Sequence, residues 1–182
     1  MNSMKELFFH EDFYCQVELL PVSAVQHCDD EMKKVDEFSA AHWDGTAWTK
    51  IYLRDNHSAH LRSLGIRIQD IADKLDLILE RVEAIFTGYS TYSEQCKETR
   101  GWVFPNGCGL LADYRSDGVV QHIWLVKEPP DITSLESFKN AVEILGGCGG
   151  FVIADWNKDI LVPCFNDGKL RRYFLGLWDD DE

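Results

Sequence analysis

The stretch LLADYRSDGVVQHIWLV, residues 110–126, restricts the fold more than any other part of the chain. Two β-rich runs flank Ser116-Asp117-Gly118, and Asp-Gly supplies the positive backbone angles that tight hairpin turns need. An antiparallel strand pair is therefore specified locally. FVIADW and ILVPCF bracket Asn157-Lys158-Asp159 as another hairpin, and Trp102-Val103-Phe104 runs into the turn signal Pro105-Asn106-Gly107. Further strands are expected over 12–20, where Phe13, Cys15, Val17 and Leu19 alternate, over Trp48 to Leu53, and from about Ala84 to Thr91.

Helical spacing lies between these runs. Cys28, Met32, Val35 and Phe38 form a buried stripe on a helix expected over 23–41, opened by a capping box at Ser23 and Gln26. Ile68, Ile71, Leu75, Ile78, Leu79 and Val82 make a second stripe. Leu135, Phe138, Val142 and Leu145 make a third, behind a capping box at Thr133 and Glu136 and ahead of Gly146. The end, LRRYFLGLW, is read as a short helix or strand. Helices interrupt the strands without regular βαβ alternation, which predicts an α+β fold: a mostly antiparallel sheet with three to four helices packed on it. No Pro/Ser/Gly-rich linker divides the 182 residues, so they are read as one domain, 1–182, with a short acidic tail at 179–182.

The net charge of −13 is unevenly placed. Residues 1–49 carry ten acids against three bases, 50–100 carry eight of each, and 101–182 carry thirteen against seven. That balance argues against binding nucleic acid or anionic membranes, which needs clustered lysine and arginine. It favours a basic protein partner, since complementary fields speed encounter. On the helix at 23–41, Asp29, Asp30, Asp36 and Glu37 lie off the buried stripe with Lys33 as the one base among them. The other dense acidic run is Asp179, Asp180, Asp181 and Glu182, directly after Trp178. No stretch reaches the roughly 18 apolar residues of a membrane span, and the start MNSMKELFFHEDF has no signal-peptide core, so the expected location is cytoplasmic. The six scattered cysteines, none in C-x-x-C, are expected as buried thiols.

Catalytic and metal patterns are weak. Asp155-Trp-Asn157-Lys-Asp159 opens like an EF-hand loop, but Ile160 and Asn166 stand where glycine and glutamate are required. The glycine run 146–150 follows a helix and feeds a strand, the reverse of a phosphate-cradling loop. His57 and His60 lack further zinc ligands. Cys108 and His122 fall on adjacent expected strands and would make a nucleophile pair if register brought them together. The reading is therefore a non-enzymatic binder with no cofactor and no metal.

The acidic helix around Asp29-Asp30 and Asp36-Glu37, the tryptophan-rich segments GWVFPNG and IADWNKDILV, and the Trp-Asp-Asp-Asp-Glu end together resemble the acidic immunity proteins of bacterial polymorphic toxin and contact-dependent growth inhibition systems. The resemblance lies in overall character. It implies an antitoxin that neutralises a basic toxin C-terminal domain, often a nuclease, by covering its active or substrate-binding surface. The acids named above would supply the field, and Trp156 or Trp178 an anchor. Two other readings stand beside it: a nucleic-acid mimic that inhibits a host nuclease, and an enzyme using Cys108, His122 or Asp155.

Overall fold

The computed structural model describes residues 6–54, 58–89, 91–126, 131–147 and 150–178. Its centre is a seven-stranded sheet in the order β10-β9-β2-β8-β7-β6-β3. The strands are β2 (Val17–Pro21), β3 (Glu80–Arg81), β6 (Thr99–Val103), β7 (Gly109–Tyr114), β8 (Val120–Val126), β9 (Phe151–Asp155) and β10 (Ile160–Pro163). All neighbours in it pair antiparallel. A second sheet has the order β1-β4-β5, from β1 (Glu6–His10), β4 (Ala84–Tyr89) and β5 (Tyr92–Gln95), and its β1–β4 pair is parallel. Five helices complete the described chain: α1 (Val25–Ala41), α2 (Ser58–Arg62), α3 (Ile68–Leu75), α4 (Leu135–Leu145) and α5 (Asp167–Phe174). The α+β class with a mostly antiparallel sheet is thus as the sequence indicates, with one helix more than expected.

Both faces of the large sheet are covered, which explains why β2, β8 and β9 are apolar almost throughout rather than strictly alternating. On one face Leu61, Ile71, Leu75, Phe138, Val142 and Phe174 from the helices pack on Leu19, Leu110, Ile123, Leu125 and Ile153. On the other face the small sheet covers β6–β8, where Leu7, Phe9 and Ile85 meet Val103, Leu111, Trp124 and Val126. Beside it α1 lays Cys28 and Met32 over Leu20, Val152, Ala154 and Trp156. The period of two sends Ile123 and Leu125 to the helices and Trp124 and Val126 to the small sheet.

The hairpins form as their turns dictate. Gly118 takes φ 81° and Gly107 φ 89°, the left-handed region that glycine enters without a side-chain clash. Gly146 ends α4 at φ 143°, and Asp155 bonds the Asn157 N–H within the β9–β10 turn.

Other local expectations are corrected. The strand expected over 12–20 begins only at Val17, because Glu11–Phe13 is a 3-10 turn and Cys15 stands at φ 52°. Trp48 to Leu53 forms no strand: an isolated bridge joins Trp43 to Trp48, and the rest finds no sheet edge. The second helix stops at Leu75, since Leu79 and Val82 reach the two cores through a turn and β3. Neither capping box forms. Ala24 and Ser134 occupy the N-cap positions without side-chain bonds, and Asp131 caps the short turn before α4 instead. The C-terminal segment is helical from Asp167, capped by Asn166. No disulfide joins the described cysteines to each other, and Cys15, Cys28, Cys108 and Cys164 are buried; Cys148 and His57 lie outside the described residues.

Candidate functional site

Helix α1 presents the expected acidic face. Asp30, Asp36 and Glu37 are exposed, Asp29 is half-buried, and the Gln26 amide steadies Asp30 at 3.0 Å. Lys33 is the exposed base among them. Glu31, absent from the expected set, points the other way and is fully buried. It accepts from Lys34 Nζ at 3.0 Å and from Tyr52 Oη at 2.9 Å.

The Tyr52 contact matters because it ties the segment after α1 to the helix. That segment, residues 42–54, carries the most exposed apolar surface near the acids. Trp43 and Trp48 are 48% and 65% exposed, and Ile51 and Leu53 reach 87% and 85%. The two indoles lie against one another, centroids 5.0 Å apart. Asp44 accepts from the N–H groups of Thr46 and Ala47 and from the Thr46 hydroxyl, which closes the turn between the tryptophans. The same bonds hold the Asp44 carboxyl below its ordinary pKa. At the helix end, His42 stacks on Phe38 with ring centroids 4.0 Å apart, and the Tyr52 ring lies 5.2 Å from the same Phe38 ring.

At its far end the segment is pinned by Arg54, whose Nη2 donates to the Cys15 carbonyl at 3.0 Å. Its Nη1 lies 3.9 Å from Glu18 Oε1, and its guanidinium sits 4.3 Å from the Trp156 ring centroid. Trp156 Nε1 donates to the same Glu18 oxygen at 3.1 Å. Glu18 is 3% exposed, and burial pushes its carboxyl up to about 7 despite Arg54 and the indole bond, which both favour the anion. Burial likewise lowers the Arg54 pKa. The result is an apolar, tryptophan-bearing surface held by the His42–Phe38 contact at one end and by the Tyr52–Glu31 bond and the Arg54 contacts at the other, next to an acidic helix.

This arrangement redistributes the expected anchors. Trp156 is 8% exposed and is committed to Glu18 and Arg54, so it holds the surface from beneath rather than meeting a partner. Trp178 is partly buried against the helix-side core. Asp179, Asp180, Asp181 and Glu182 lie outside the described residues. Trp43 and Trp48 take the exposed role. Their sequence signal was present, two tryptophans beside an apolar run, but alternation over 48–53 reads equally as a strand.

The Cys108–His122 pair is not assembled. Register places Gly109 opposite Val126 and His122 opposite Asp113, so Cys108 stands beyond the far end of the ladder, buried among core residues. His122 instead meets the Tyr14 ring at 5.7 Å. Cys15, Glu18 and His122 bring one potential ligand atom each within 4.8 Å of one another, the one such trio among the described residues. One Glu18 oxygen is already taken by Trp156 and faced by Arg54, and burial together with Glu18 and Asp113 pushes the Cys15 thiol well up. Burial therefore favours the neutral thiol at Cys15, which makes it a poor nucleophile. Asp155 accepts from Tyr173 Oη at 2.8 Å and fastens β9 to α5.

No family model matches the chain, and no curated protein or solved structure proved similar to it. No helix of the described residues is long and apolar enough to cross a membrane.

Proposed function

We propose that this protein is an immunity protein that binds a basic toxin domain through the α1 face and the 42–54 segment, and so covers the toxin's active or substrate-binding surface. One observation carries the reading: two exposed, mutually packed tryptophans on a pinned loop beside Asp30, Asp36 and Glu37. Tryptophan dominates binding energy where a polar rim surrounds it, and a preformed loop loses little entropy on docking. The helix acids steer a cationic partner and raise the association rate, while the indoles slow its departure. A nuclease fits as partner, since its phosphate-binding surface is basic. In this reading Asp179 to Glu182 add to the attracting field.

The test is protection. The chain is expressed in cells with the toxin domain encoded beside its own gene, and growth is followed. Protection is expected from the native chain and from a variant with Asp30, Asp36 and Glu37 reversed to lysine at high expression only; Trp48→Ala is expected to lose it. Absence of protection by the native chain, or undiminished protection by a Trp43→Ala/Trp48→Ala double variant, overturns the proposal.

A further inference from the structure

The centre of the large sheet carries three metal-ligating side chains of different chemistry that the α1 surface does not use. Cys15 Sγ, one Glu18 carboxylate oxygen and one His122 ring nitrogen all lie within 4.8 Å of one another. They come from distant stretches of the chain, so no sequence spacing marks them. What brings them together is β2 lying beside β8.

Their place in the fold is specific. β2 and β8 pair at one position, Glu18 opposite Trp124. Directly opposed residues share a face of a sheet, as do residues two apart, so Glu18, Trp124 and His122 stand on the same face. Glu18 lies there between two apolar clusters. Trp124 belongs to the one under the small sheet, and Trp156, whose Nε1 donates to Glu18 at 3.1 Å, belongs to the one under α1. Cys15 reaches the same point through a left-handed backbone angle, φ 52°, which non-glycine residues seldom adopt, and it is buried.

The donors match one ion. Thiolate, imidazole and carboxylate are the three side-chain ligands of zinc, whereas magnesium and calcium take oxygen alone. Tetrahedral zinc, with bonds of about 2.0–2.3 Å, spaces its ligands about 3.3–3.8 Å apart, so these pairs need close by no more than about 1 Å. His122 is half-buried and gives the ion a way in. Its ring meets Tyr14 at 5.7 Å and makes no hydrogen bond among the described residues.

Outer contacts hold the other two ligands. Trp156 orients the Glu18 carboxylate but occupies only one of its lone pairs, and Arg54 Nη2 donates to the Cys15 carbonyl at 3.0 Å. Arg54 also brings a positive charge, with Nη1 3.9 Å from Glu18. A Cys15 thiolate and Glu18 outweigh it. Asp113, opposite His122 in the β7–β8 ladder and held by the neutral hydroxyls of Tyr14 and Thr99, adds to the negative side.

We infer that Cys15, Glu18 and His122 bind a zinc ion, with water in the fourth position. On binding, the Cys15 thiol releases its proton to solvent and its sulfur forms the bond to zinc. The ion clips the segment entering β2 to β8 where those strands pair only once, and it steadies the Cys15 carbonyl on which Arg54 is anchored. The inference does not depend on the α1 surface, and the two are tested by different residues.

The experiment frees the full-length protein of metal with a chelator and titrates it with Co²⁺, then with Zn²⁺ against a chromophoric competitor. One equivalent of Co²⁺ is expected to give a thiolate-to-cobalt charge-transfer band in the near ultraviolet and the intense visible bands of a tetrahedral site, and Zn²⁺ is expected to abolish both. Cys15→Ser is expected to lose the charge-transfer band, while Cys96→Ser keeps it, which separates this thiol from another in the chain. His122→Gln changes a half-buried residue, so it also tests the site if Cys15→Ser does not fold. It is expected to weaken Zn²⁺ at least about tenfold, since even outer-shell contacts are worth that much. Zn²⁺ is expected to raise the thermal midpoint of the native chain and to leave that of His122→Gln unmoved. A native chain that gives no thiolate band with Co²⁺, or equal Zn²⁺ affinity in the native and His122→Gln proteins, overturns the inference.

Discussion

Glu18 gives the sharpest test of how the exposed surface is supported. Its carboxyl is pushed from 4.5 to about 7 by burial, at 3% exposure, so the folded chain takes up a proton that the unfolded chain has already released. The stability associated with that proton is complete below about pH 4.5. It declines as the pH rises through 7 and changes no further above that. At about 1.4 kcal/mol per pH unit, the whole span comes to roughly 3 kcal/mol. Glu18→Gln keeps an oxygen for the Trp156 indole and removes the titration. Urea unfolding followed by tryptophan fluorescence at pH 5, 6, 7 and 8 should show the native chain losing stability relative to the variant by about that amount across the series. The difference between the two chains isolates Glu18 from every other titrating group. Parallel profiles for the two chains, or a native chain that gains on the variant as pH rises, would refute the assignment of Glu18 as the under-compensated buried charge.

Trp48→Ala should leave unfolding stability within about 0.5 kcal/mol, because the ring is mostly in water, while weakening partner binding by about 2 kcal/mol or more, read by titration calorimetry. Tyr52→Phe removes a donor from fully buried Glu31 and should cost about 1–2 kcal/mol by urea unfolding, with faster amide exchange across 42–54 as the loop loses its tie to α1. Gly88→Ala should destabilise the small sheet severely, since a Cβ there would overlap the Tyr92 carbonyl oxygen across the β4–β5 turn. Circular dichroism melting should show a lower transition, and an unchanged one would refute the packing described.

How much of this was legible beforehand follows from the range of each interaction. The β7–β8 and β9–β10 hairpins, the stripe on α1 and the stop at Gly146 depend on neighbours within a few residues, so the chain's own order specifies them. The α+β class and the acidity of α1 followed from the same local information. The small sheet did not, because β1 pairs in parallel with β4 almost eighty residues later and the exposed β5 carries no apolar pattern. The roles of the tryptophans were equally hidden. Trp156 is buried because a carboxylate 138 positions away takes its N–H and Arg54 covers its ring, while Trp48 stays in water because no strand offers it an edge. The sequence alone settled periodicity, turn chemistry and net charge. Only the tertiary structure could decide which charges are paired and which indoles are spent inside, since each of those depends on groups the chain brings together from far apart.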